Sequence, residues 1–169
     1  VSTTSGLVFA LDGMANTWAS TGLLRADEKN HKILVDSMRG VIESFYEEFD
    51  APVIIDKGRG WPIPQIMQAM SQVIGAKPKI IATVRSIPEC MASFVRVAKP
   101  DDLDDFIYSG ELSDHLKAAY ITLQTGYEYD PECFCIVEYD DLLADPKSQL
   151  DRIHAFLELD DFEYNFEAI

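Results

Sequence analysis

The chain has 169 residues, is 47% hydrophobic and sets 29 Asp and Glu against 14 Lys and Arg, a formal charge of -15. That apolar content suffices for one domain with a real core over residues 1–169, while the acidity excludes nonspecific nucleic-acid binding and anchoring on anionic membranes. No stretch reaches membrane-spanning length, and Cys90, Cys133 and Cys135 form no C-x-x-C, so the thiols read as reduced and structural in an intracellular, cytoplasmic protein.

Thr4 or Ser5 is positioned to cap a first helix carrying Leu7, Leu11, Met14 and Trp18. A longer amphipathic helix runs from about Asp27 to Glu48, with Leu34, Val41, Ile42, Phe45 and Phe49 on its apolar side. "APVIID" (51–56) is a short buried strand. Helical spacing returns over Ile63, Ile66, Met67, Met70, Val73 and Ile74, stopped by Gly75 and Pro78. "KIIATV" (79–84) is the next strand, followed by a helix from Pro88 to Ala98. An acidic loop, "KPDDLDDF" (99–106), precedes a helix over about Leu112–Thr125; "CFCIVEY" (133–139) is a strand and "PKSQLDRIHAFLEL" (146–159) a closing helix.

Short apolar strands separated by helices describe an α/β fold, a mostly parallel sheet flanked by helices. Ligands in such sheets sit beyond the carboxyl ends of the strands. Lys57 and Arg59 follow the first strand, Arg85 the second, and Glu138 to Asp141 the third. Basic residues at two of these three ends stand out in so acidic a chain, and point to an anion. "SIPE" (86–89) has the form of a capping box, so the helix behind Arg85 presents amides to the same anion, and Ser93 and Arg96 share one face of that helix. The alternative is a well-capped helix with solvated arginines. In "IIDKGRGW" (54–61), Gly58 and Gly60 bracket Arg59 and permit close backbone approach, and Lys57 and Arg59 can clasp phosphate or sulfate oxygens. The alternative here is a surface turn with Trp61 in the core. The loop is not a Walker loop.

"IIATVRSIPECMASFVR" (80–96) resembles the 3′-phosphate-binding segment of sulfotransferases that use 3′-phosphoadenosine 5′-phosphosulfate (PAPS): strand, Arg, Pro, then Ser eight residues after the Arg. "CIVEYDDLLADPKSQLDRIHAFLEL" (135–159) resembles the later strand–helix segment of that family, and "VIIDKGRGW" (53–61) is similar to the Lys-bearing loop of its tyrosylprotein and marine microbial or phage-type members. The matches run in order over roughly residues 50–160. The resemblance implies a P-loop-like three-layer fold and transfer of a sulfuryl group from PAPS to a hydroxyl or amine. It implies that Arg85 and Ser93 hold the 3′-phosphate, that Lys57 lies at the sulfuryl group as catalytic cation, and that Arg59 is a neighbour of the same site. PAPS is the co-substrate; no metal is implied, and no metal-ligand cluster stands in the sequence.

The family's opening strand and basic Gly/Ser/Thr loop, which cradle the 5′-phosphosulfate, have no evident counterpart: "VSTTSGLVFAL" carries hydroxyls and one glycine but no basic residue before Arg25. The sequence therefore reads as lacking the first strand and loop, and as trimmed at both ends. It assigns no general base. His31, His115 and His154 fall on helices as solvated or packing residues, and Asp12 and Glu138 are carboxylates with ordinary surface or capping roles as the default. A nucleotide or small-molecule kinase of related architecture, and a noncatalytic nucleotide-binding scaffold, are the competing functions. The acceptor is not legible.

Overall fold

The structure, a computed structural model, describes residues 2–3, 5–22, 27–108, 110–160 and 162–166. The chain packs as two compact units, one of residues up to Pro78 together with Thr122–Tyr129, the other of Lys79–Ile121 and the residues from Asp130 onward. Among the described residues no helix is long and apolar enough to cross a membrane.

In the first unit, strand β1 (Ser2–Thr3) leads to α1 (Leu7–Ser20), α2 (Glu28–Tyr46), β2 (Ile55–Asp56) and α3 (Pro64–Ile74). β1 pairs in parallel with β2, Ser2 opposite Ile55 and Thr3 opposite Asp56. A strand therefore does precede α1, contrary to the expectation that the first strand is missing. Two residues are too few to show the period-2 alternation by which a strand is read. Helices α1, α2 and α3 meet around Leu7, Leu11, Leu34, Met38 and Val73, with Trp18, Ile42, Tyr46 and Trp61 packed about them. The buried stripe of α2 runs through Leu34 and Met38, whereas Val41 and Phe45 remain 37% and 39% exposed. Of the expected apolar side Leu34 and Ile42 do face the core and Met38 joins them, while Val41 and Phe45 stay outside because α2 has more apolar positions than one face can bury. Asp27 accepts the Lys29 amide to start α2 (3.1 Å), and Gly75 at φ 73° ends α3. Thr4 and Arg25 lie outside the described residues.

The second unit holds β3 (Ile80–Val84), α4 (Ile87–Ala98), α5 (Leu103–Tyr108), the first part of α6 (Glu111–Tyr129), a 3-10 turn (Pro131–Cys133), β4 (Phe134–Glu138), α7 (Tyr139–Ala144) and α8 (Pro146–Leu157). β3 and β4 are parallel, in register from Ile80 opposite Phe134 to Val84 opposite Glu138. Phe134, Cys135 and Val137 of β4 are buried. α8 packs on β4, and Arg152 donates from Nη2 to the Ile136 carbonyl, satisfying an acceptor of that strand. Cys90, Cys133 and Cys135 are thiols, none of them joined in a disulfide. These two parallel ladders and the helices around them make an α/β fold, with one difference from the expected order: β3 and β4 are neighbours, but the ladder partner of β2 is β1. The acidic loop also contains a helix. Asp102 accepts the Asp105 amide (2.9 Å), and Asp104 and Asp105 occupy the first turn of α5, where the helix dipole favours negative charge.

Candidate functional site

In the first unit the chemistry gathers where β1 and β2 end. Beyond β1, Ser5 and Gly6 (φ 66°) turn the chain into α1, a left-handed conformation that glycine adopts without strain. Ser5 Oγ accepts the Leu7 amide at 2.9 Å. The Ser5 amide donates to Asp56 Oδ1 at 3.1 Å, and its hydroxyl donates to Asp56 Oδ2. The Tyr46 hydroxyl reaches the same Oδ2 from the end of α2, at 2.6 Å. One carboxylate at the end of β2 thereby ties together β1, α1 and α2. Burial, and then the adjoining Asp56 carboxylate, push the Tyr46 hydroxyl up to about 12, so Tyr46 remains a neutral donor.

Lys57 follows this carboxylate directly. Lys57 and Arg59 are both exposed, and among the described residues neither has an ion-pair or hydrogen-bond partner. Gly58 and Gly60 do not adopt the left-handed conformation. Their lack of a side chain serves packing. A Cβ on Gly60 would stand 3.1 Å from Val8 Cγ2 of α1, and one on Gly58 would stand 3.2 Å from the Trp61 ring. Trp61 lies against the core, as the alternative reading of the loop had it. The loop is therefore both things at once: a turn pressed onto the start of α1, and a segment whose two exposed cations have no partner among the described residues.

In the second unit Arg85 stands immediately beyond β3 and before α4. Its Nε lies 3.3 Å from Glu89 Oε2, and its Cζ lies 4.6 Å from the centroid of the Tyr139 ring, at the end of β4. The capping box expected of "SIPE" does not form. Ser86 makes no side-chain cap bond, and Glu89 turns to Arg85 instead. A cation beside the carboxylate competes with the neutral Ser86 amide and wins, because the ionic hydrogen bond is the stronger. Pro88 does occupy the first turn, where its missing N–H costs nothing. Ser93 is half-buried on α4, and Arg96 is exposed in its last turn. Thus Lys57 and Arg59 share one loop of the first unit, while Arg85 and Ser93 belong to the strand–helix junction of the second.

The carboxylates and imidazoles remain without an evident catalytic task. Asp12 is half-buried on α1, and Glu138 is exposed at the end of β4, at the N-cap position of α7 without capping it. His31 and His115 are exposed on α2 and α6. His154 has both nitrogens engaged: Nδ1 lies 2.9 Å from the Asp160 carbonyl oxygen, to which it donates, and Nε2 lies 2.5 Å from the Tyr164 hydroxyl, from which it accepts in the neutral tautomer so assigned. That histidine fastens the segment after α8. Among the described residues no three His, Cys, Asp or Glu side chains are grouped to hold a metal ion.

Sequence reasoning passed over Ser5, Tyr46, Asp56 and Tyr139 as site residues. Asp56 ends an apolar strand and Tyr139 follows another, a placement that the strand-end argument already covered. What it lacked was a reason to prefer an uncharged ring or a strand's last carboxylate over the basic residues beside them.

The family model described as "Sulfotransferase family" matches residues 19–164, a span that takes in Lys57, Arg59, Arg85, Ser93 and Tyr139 and begins near the end of α1. No curated protein and no solved structure matches the chain. With basic strand ends in both units, parallel ladders and a family match over most of its length, the chain belongs to the sulfotransferase family and is an enzyme of sulfuryl transfer.

Proposed function

We propose that the sulfuryl donor is PAPS and the acceptor a hydroxyl or amine, with Arg85 and Ser93 binding the 3′-phosphate and Lys57 meeting the transferred group, Arg59 beside it. The observation that carries this reading is the position of Arg85. It follows a strand of a parallel ladder and precedes the amides of α4, with Ser93 two turns further along the same helix. A phosphate there faces a guanidinium and a helix N-terminus, both donors, and Ser93 is assigned to it as a third. In the reaction the acceptor oxygen or nitrogen forms a bond to sulfur as the bond from sulfur to the bridging phosphate oxygen breaks. The acceptor's proton passes to solvent water, and negative charge accumulates on the departing 5′-phosphate. Lys57, exposed and unpaired among the described residues, supplies a cation for that charge without first having to leave a carboxylate. The net charge of -15 favours acceptors other than nucleic acid.

The experiment pairs nucleotide titration with kinetics. Adenosine 3′,5′-bisphosphate binds more tightly than adenosine 5′-monophosphate, since each charge-assisted hydrogen bond contributes about 1.5–3 kcal/mol. Arg85→Ala raises the dissociation constant of the bisphosphate. Lys57→Ala leaves that constant nearly unchanged and raises the barrier to transfer by about 2.7–4 kcal/mol, because its interaction grows only in the transition state. Equal affinities of the two nucleotides for the unaltered protein would sink the 3′-phosphate assignment. Full turnover by Lys57→Ala would return that lysine to an ordinary surface turn.

A further inference from the structure

We infer that Tyr139 is a positioning residue for Arg85, holding the guanidinium so that its Nη1–Nη2 edge is presented to a phosphate monoester. The inference rests on the reading of Arg85 as the 3′-phosphate ligand and adds to it the residue that sets phosphate selectivity.

The placement follows from strand register. β3 and β4 pair in parallel without a slip from Ile80 opposite Phe134 to Val84 opposite Glu138. One step beyond the ladder, the same register sets Arg85 opposite Tyr139. There the Arg85 Cζ lies 4.6 Å from the ring centroid, within cation–π range. The second restraint comes from the first turn of α4, where Glu89, four residues on from Arg85, takes Nε at 3.3 Å. A guanidinium offers a flat face and two hydrogen-bonding edges. With Cζ over the Tyr139 ring and Nε committed to Glu89, the Nη1–Nη2 edge remains, and among the described residues it has no protein partner. That edge suits bidentate contact with two phosphate oxygens. A solvated arginine has many rotamers to lose on binding; one held on two sides has fewer. Arg85 and Tyr139 are each about 37% exposed, which leaves the pair open to a ligand.

The test uses the whole protein and two probes, adenosine 3′,5′-bisphosphate and adenosine 5′-monophosphate, titrated against Tyr139→Leu, Tyr139→Phe and Arg85→Ala. Tyr139→Leu keeps the bulk but removes the aromatic face. It weakens bisphosphate binding roughly two- to fivefold, the size of an exposed cation–π contact, and leaves monophosphate binding unchanged. Tyr139→Phe keeps the face and the selectivity. The monophosphate serves as the check on folding, since a merely structural role for the ring would weaken both nucleotides together. Equal weakening of both, retained selectivity in Tyr139→Leu, or a Tyr139→Phe as impaired as the leucine variant each overturns the inference. If Arg85→Ala itself retains the preference for the bisphosphate, the reading of Arg85 fails and the role of Tyr139 falls with it. Loss of preference in Arg85→Ala but not in Tyr139→Leu removes the positioning role alone.

Discussion

Replacing Asp56 with alanine removes the acceptor of three hydrogen bonds at one point: the Ser5 amide at 3.1 Å, the Ser5 hydroxyl, and the Tyr46 hydroxyl at 2.6 Å. A hydrogen bond to a charged group contributes about 1.5–3 kcal/mol, but these donors are only partly buried, and water replaces part of what each loses. The expected cost is therefore roughly 2–4 kcal/mol rather than the full sum. That is a large share of the about 5–15 kcal/mol by which domains are stable. Urea unfolding at pH 7, followed by tryptophan fluorescence, is the suitable assay, because Trp18 and Trp61 both pack on the core of the same unit. Combining Asp56→Ala with Tyr46→Phe gives a second, stricter reading. The two variants share one bond, so the double variant loses less than the sum of the singles by about 1 kcal/mol. A destabilisation of Asp56→Ala below about 0.5 kcal/mol, or strict additivity with Tyr46→Phe, would refute the clamp.

Two further predictions concern stability in the same unit. The Tyr46 hydroxyl ordinarily loses its proton near 10 and is pushed up to about 12 here, so the neutral form is favoured in the fold. Its stabilisation is whole below pH 10 and lost as pH rises from 10 to 12; the stability gap between the unaltered protein and Tyr46→Phe narrows across that window by roughly 1–2 kcal/mol after screening, and parallel pH profiles would contradict it. Gly126 lies inside α6, where alanine is ordinarily about 1 kcal/mol better, yet a Cβ there would collide with the Pro62 carbonyl oxygen. Gly126→Ala is expected to lower stability by about 2 kcal/mol or more; a raised melting temperature would show that α6 does not rest on Pro62.

Much of this protein is local information. Continuous apolar runs mark β3 and β4, and helical spacing marks most of the long helices, because a run of five residues or a helix of eleven is long enough to be read. The basic strand ends, Lys57 and Arg85, are legible for the same reason: their places depend only on where the apolar runs stop. The sequence alone thus carries the α/β class, the family resemblance and the positions of the basic residues at the strand ends. Three kinds of fact needed the folded chain. β1 is too short to announce itself and exists because Ile55 and Asp56 offer it a ladder. The partner of Glu89 is decided by competition between the Ser86 amide and the Arg85 guanidinium, and only the spatial nearness of the cation settles that competition. The setting of Tyr139 over Arg85, and of Ser5 and Tyr46 on Asp56, joins residues far apart in sequence. Pairing register and helix packing fix those meetings, and both follow from burial summed over whole elements, a quantity that no short stretch of sequence contains.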